Sequence, residues 1–153
     1  MEIGYSKKVD PEKTAKAIGK ELQISPKYST EICKAIRGMK VEDAKEYLTA
    51  VVEMKKPVRC ERYVKQVTHK RGKKFGAGRY PVKAASQILR VIESALENAE
   101  YKGLDTEGMR LIHISANRGR VWKGYIQRAH GRSSAHNRLT TNIEVILEEE
   151  GLE

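Results

Sequence analysis

Apolar positions along this chain recur first at helical and then at strand spacing. In "SPKYSTEICKAIRGMK", residues 25–40, Tyr28, Ile32, Ala35 and Ile36 fall on one face of a 3.6-residue repeat. Ser25 suits an N-cap, Pro26 the first helical position, and Gly38 the stop. "KVEDAKEYLTAVVEMKKP" repeats the device, with Val41, Ala44, Tyr47, Leu48, Val51 and Val52 as its apolar stripe. Glu42 and Asp43 in its first turn and Lys55 and Lys56 in its last would complement the helix dipole, and Pro57 would end it. The longest helix is expected in "PVKAASQILRVIESALENAEYKG", opened by Pro81 and closed by Gly103. Its wide face of Ala84, Ala85, Ile88, Leu89, Ile92, Ala95, Leu96 and Ala99 is rich in small residues that permit close approach to a neighbour.

Strand spacing is clearest near the C-terminus. Ile143, Val145 and Leu147 alternate with Asn142, Glu144 and Glu148, as in a half-buried strand. "MRLIHIS" reads as another strand beginning near Met109. Residues 13–24 leave both types open: Ala15, Ala17 and Gly19 alternate with Lys16, Ile18 and Lys20, while propensity favours a helix nearly as well. Residues 1–12 read as a loose start, 148–153 as a frayed end, and 58–80 as an irregular basic excursion with no sustained period. No internal repeat is present. One domain spanning 1–153 is the expectation for this length.

Charge sharpens this picture. The net charge is +10, from 30 basic and 20 acidic residues. Residues 62–92 contain nine Lys or Arg and no carboxylate; residues 108–143 contain seven and again none. The whole positive excess sits in those two blocks, as expected of a footprint for a polyanion. A solvated charged face would mix both signs. Mean hydropathy is −0.62, so a modest core and a large polar surface are expected. The opening "MEIGYSKKVD" lacks an apolar run, and no stretch approaches the ~20 apolar residues of a membrane helix. A soluble cytoplasmic protein without a membrane anchor is therefore expected. Cys33 and Cys60 are too few for a disulfide framework and match no metal spacing, and nothing calls for a cofactor.

The stretch "YIQRAHGRSSAHNR", residues 125–138, lies between the two C-terminal strands where a two-residue turn would serve. It is too varied to be low-complexity, and turn-prone "HGRSS" sits near its middle. One reading is a disordered loop; the other, which arms of similar length favour, is a hairpin whose arms continue past the core. With about fifteen to eighteen residues per arm, at ~3.3 Å each, the arms would reach roughly 50–60 Å. An isolated ribbon of this kind is marginal in water. One rich in arginine would be ordered mainly by a polyanion, with guanidinium forks on phosphates and Trp122 and Tyr125 available to stack on bases.

These pieces resemble a known family, protein twenty-two of the large ribosomal subunit. The resemblance rests on "SPKYSTEICKAIRGMKVEDAKEYL", "PVKAASQILRVIESALENAE", and "YIQRAHGRSSAHNR" followed by "TTNIEVILEE", from about residue 13 to 148. It implies an α+β fold, three helices packed on a small three-stranded antiparallel sheet, with a long protruding β-hairpin within 109–148. It implies a structural constituent of the large subunit that binds rRNA, supports assembly and lines the polypeptide exit tunnel. The implied partners are large-subunit rRNA, neighbouring proteins including the fourth of the large subunit, and the nascent polypeptide. Carried over, the tunnel tip is Gln127, Arg128, Ala129, His130, Gly131 and Arg132. The resemblance would also lay Arg118, Arg120, Lys123 and Arg138 of the arms against rRNA; stacking adds Trp122 and Tyr125 as rRNA-binding residues, and charge alone adds Lys70, Arg71, Lys73, Lys74, Arg79 and Lys83 of the first block, since bacterial contacts cannot be carried onto residues 58–80. The 58–80 insertion resembles the archaeal and eukaryotic branch and departs from the bacterial pattern; the short C-terminus favours archaea.

Other classes fit the residues less well. A ribonuclease would use histidine pairs as acid and base. His69, His130 and His136 lie in acid-free segments with no carboxylate nearby in sequence, and His113 lies within a strand. "FGAGRYP", residues 75–81, has a lone GxG without the strand–loop–helix phosphate fingerprint. The remaining rival is a free-standing RNA-binding or RNA-chaperone module.

Overall fold

The computed structural model describes residues 4–72 and 75–149. Strand β1 (Thr14–Leu22) leads into helices α1 (Pro26–Ile36) and α2 (Val41–Val52). Short strands β2 (Val58–Arg59) and β3 (Gly78–Arg79) bracket the basic excursion, and α3 (Val82–Tyr101) follows. The chain then runs through β4 (Arg110–Trp122), β5 (Tyr125–Gln127), β6 (Ser133–Ala135) and β7 (Arg138–Glu148). Three helices and an antiparallel sheet ordered β1-β7-β4 make an α+β fold with a long hairpin. The residues left open at 13–24 are strand: Ala15 and Ala17 face the core from β1.

The helices cover one face of the sheet. Ile32 and Ile36 of α1, Leu48 and Val51 of α2, and Ile88 and Ile92 of α3 are fully buried with Ile143, Val145 and Leu147 of β7. Ala84, Ala85, Ala95 and Ala99 are buried too, so α3 presses its small-residue face inward as expected.

The helix ends differ in detail from expectation. Ser25 occupies the N-cap position, yet its side chain makes no capping bond; its carbonyl instead accepts from the Ser29 amide and hydroxyl. Helix α2 stops at Val52, because Met54 turns to a left-handed φ of 60°. Lys55 and Lys56 therefore lie beyond the helix, not in its last turn, and their amides return to the carbonyl of Ala50. Pro57 follows a helix already ended.

Strand β7 is not half-buried. Residues 140–147 are all buried, including Asn142 and Glu144 on the face away from the helices. The segment expected to be a loose start provides a cover: Ser6 donates to Glu144 Oε2 through both its amide (3.1 Å) and its hydroxyl (2.6 Å). Asn117 Nδ2 donates to Oε1 at 2.8 Å, and Asn142 Oδ1 accepts from the Glu21 amide at the β1 bulge. Both polar side chains are thus satisfied, as burial requires.

Candidate nucleic-acid interface

The first basic block is organised by one carboxylate. Glu31, buried on α1, accepts backbone hydrogen bonds from Glu61 (3.2 Å), Arg62 (2.8 Å) and Tyr63 (2.9 Å). Lys34, one turn on, pairs with Glu61 and holds that carboxyl below its usual range. The far side closes through the β2–β3 ladder and a bridge from His69 to Ala77. The excursion is therefore an irregular stretch pinned to the body at its start and closed at its base. Arg71 and Arg79 are exposed, with Arg79 also donating to the Gln66 carbonyl. Lys70 is half-buried, its ammonium 5.0 Å from the centre of the Tyr80 ring. Lys73 and Lys74 lie outside the described residues. Lys83 is exposed in the first turn of α3.

The second block forms the long hairpin. Strands β4 and β7 pair from Arg110↔Glu148 to Trp122↔Arg138, and β5 and β6 continue from Tyr125↔Ala135 to Gln127↔Ser133. Between the two ladders, the His136 amide donates to the Gly124 carbonyl at 2.6 Å. A Cβ at position 124 would stand 2.8 Å from the His136 carbonyl oxygen, so only glycine fits this crossing. At the tip the Arg128 amide donates to the Arg132 carbonyl. His130 and Gly131 take consecutive left-handed φ values of 59° and 65°, the combination that tight hairpin turns favour. All six tip residues, 127–132, are exposed.

The reach is shorter than expected. The lower part of each arm, up to Ala116 and down from Thr140, belongs to the buried sheet. What protrudes is residues 117–139, or about 40 Å per arm at ~3.3 Å per residue. Along that length Arg118, Arg120, Lys123, Arg128, Arg132 and Arg138 are all exposed, and among the described residues none pairs with a carboxylate. Trp122 and Tyr125 are exposed beside them, 51% and 73%, values that rule out a core role for either ring. The Arg120 guanidinium lies 5.1 Å from the Trp122 ring centre.

Some features escaped the sequence reading. Glu31 carried no signal, since a glutamate on a helix is ordinary. His113 does have a carboxylate neighbour, Glu144, at 3.7 Å, with Ser6 Oγ at 3.0 Å; sheet pairing brings them together. Burial alone would raise the Glu144 pKa, but the donors Ser6 and Asn117 and the charge of His113 outweigh it and hold the carboxyl below its usual range. Here Glu144 accepts from the serine directly, so the cluster clamps the N-terminal segment to the sheet. Both cysteines are free and buried, and burial pushes the Cys33 thiol up to about 12.

A helix-backed antiparallel sheet that extends a carboxylate-free, cationic, partly aromatic ribbon defines the class: an α+β protein with a projecting basic β-hairpin. Comparison with known proteins makes this particular. The family described as Ribosomal protein L22p/L17e matches residues 17–148, and the chain belongs to that family. Archaeal proteins named large ribosomal subunit protein uL22 are similar over nearly the full length of both chains. That of Methanococcus aeolicus is 49% identical, covering 96% of this chain and 97% of the relative. That of Methanocaldococcus jannaschii is 49% identical, covering 96% and 95%. That of Methanopyrus kandleri is 52% identical, covering 92% and 90%. No described helix is long and apolar enough to cross a membrane.

Proposed function

We propose that this chain is a non-catalytic structural constituent of the large subunit of cytoplasmic ribosomes. It acts as one domain, residues 1–153, and binds large-subunit rRNA through both basic blocks. The residues that carry this binding are Arg118, Arg120, Trp122, Lys123, Tyr125 and Arg138 on the arms. Lys70, Arg71, Lys73, Lys74, Arg79 and Lys83 add to it from the 58–80 insertion and the start of α3. The tip, Gln127 to Arg132, lines the nascent-chain tunnel and meets the fourth large-subunit protein there. The observation that carries the reading is the hairpin itself: about 40 Å of exposed ribbon with six cations and no carboxylate, in a chain of this family. Such a ribbon has no apolar layer to order it, and phosphate is the counter-charge it lacks.

The test is sedimentation. A tagged copy expressed in an archaeal host should travel with large subunits through a high-salt wash. Recovery mainly outside subunits, with the hairpin amides protected in the free protein, would mark a free-standing RNA-binding module instead.

A further inference from the structure

The two basic blocks meet at one place. At the base of the protruding hairpin an open groove of about 640 Å³ is lined by Gln23, Pro26, Lys83, Trp122, Asn137 and Arg138, among others. Lys83 comes from the first block, Trp122 and Arg138 from the second, and Gln23 and Pro26 from the entry to α1. Among the described residues no carboxylate lines the groove. The α1 terminus beside it has no side-chain cap and no acid in its first turn, so its positive end is not neutralised locally.

The ring in this groove is placed for stacking. Trp122 is paired with Arg138 across the ladder, which sets both side chains on one face of the ribbon. Trp122 lines the groove, and the Arg120 guanidinium, 5.1 Å from its ring centre, does not. Gln23 and Asn137 add two carboxamides, the groups that donate and accept together at a base edge. A flat aromatic, two cations, two amides and no acid in one concavity match a single chemical object. We infer that this groove binds one unpaired RNA nucleotide, its base stacked on Trp122 and its phosphate held by Lys83 and Arg138. The inference rests on the RNA-binding reading above and names a site within it.

Trp122 is the only tryptophan of the chain, so its fluorescence reports on the groove directly. Full-length protein is titrated with an adenylate heptamer and with an abasic ribose-phosphate heptamer of equal charge. In parallel it is titrated with a large-subunit rRNA transcript across a salt series. The adenylate heptamer should quench Trp122 and bind on the order of tenfold more tightly than the abasic one, the usual worth of one stacked base. Trp122→Leu should lose that advantage while keeping its affinity for the abasic heptamer, and Trp122→Phe should retain most of it. Equal quenching by both heptamers, or equal loss of both in Trp122→Leu, overturns the stacking site. If the transcript binds with salt dependence but neither heptamer distinguishes base from backbone, only the site is wrong; if the transcript does not bind, the RNA-binding reading itself is wrong. Ultraviolet crosslinking of intact large subunits supplies the last arm. A crosslink from Trp122 to RNA is expected, and one to a protein segment instead means the groove holds a peptide and refutes the nucleotide.

Discussion

The two basic regions carry similar charge and are built in opposite ways. The 58–80 excursion is held close to the body. Glu31 ties its first turn to α1, a two-residue ladder shuts its base, and Lys70 spends part of its surface on Tyr80. The 117–139 ribbon is anchored only at its root, through the buried half of β4 and β7, and leaves its cations in solvent. A buried carboxylate organises the first block without touching its exposed positive charge; backbone pairing organises the second, with Thr140 Oγ1 donating to the Arg120 carbonyl and Arg128 Nε to Ser134 Oγ along it. Similar charge therefore serves two purposes: a fixed basic surface near the body, and a basic surface carried at a distance from it.

That contrast breaks most sharply at Glu31. Glu31→Ala removes the acceptor for three backbone amides, each costing about 1–3 kcal/mol if left unmet in a buried setting. Solvent can reach part of this turn, so a loss of about 2–3 kcal/mol in thermal unfolding is expected, with fast hydrogen exchange at 61–63 and an unchanged hairpin. Equal disturbance of 117–139 would show that the two blocks are coupled. The next largest effect belongs to the arms. Arg118→Ala, Arg120→Ala and Arg138→Ala together should leave stability within about 0.5 kcal/mol, as exposed sites do. The plot of log affinity for rRNA against log salt should flatten by about 2, at ~0.7–0.9 per lost phosphate contact. An unchanged slope would move the phosphate contacts to the excursion.

Glu144→Gln tests the root. The amide keeps one acceptor oxygen for the donors Ser6 and Asn117, and a loss of about 1–2 kcal/mol is expected. Its pH dependence has a definite sign. The folded pKa lies below the ordinary 4.5, so the carboxylate's contribution is whole above 4.5 and is lost as pH falls through the folded value. The stability gap between wild type and variant should narrow as pH falls below 4.5; a gap that stays constant through that fall would contradict the assignment. The smallest effect on the fold is expected at the tip. Arg128→Ala, His130→Ala and Arg132→Ala should change stability by less than about 0.5 kcal/mol and leave most rRNA affinity in place. What should move is stalling on arrest-prone nascent peptides in a translation assay; a tip variant that fails to enter subunits would reverse the roles given to tip and arms.

How much of this was readable in advance follows from which forces repeat along the chain. The three helices were legible because their apolar faces recur every third or fourth residue, and the arms because a carboxylate-free run between strands is rare. Strand β7 was misread as half-buried because Asn142 and Glu144 look like solvent-facing positions. What buries them includes Ser6 and Glu21, from the other end of the chain, and no local period encodes that contact. Glu31 was invisible for the same reason: its three partners lie thirty residues on and offer only backbone. The groove at Trp122 needed residues from three separate segments to come together, and each alone looks like ordinary surface.

The sheet order carries a consequence for how the molecule is made. Strand β7 lies between β1 and β4 and joins them into one sheet. Thr14 pairs with Glu148, so nearly the whole chain separates the partners. Contacts of such long range form slowly. During synthesis β1 emerges first and waits without its partner, the helices follow, and most of both cationic blocks leaves the ribosome before the strand that completes the sheet is whole. The nascent protein is thus a set of basic segments without a finished body until its final strand appears.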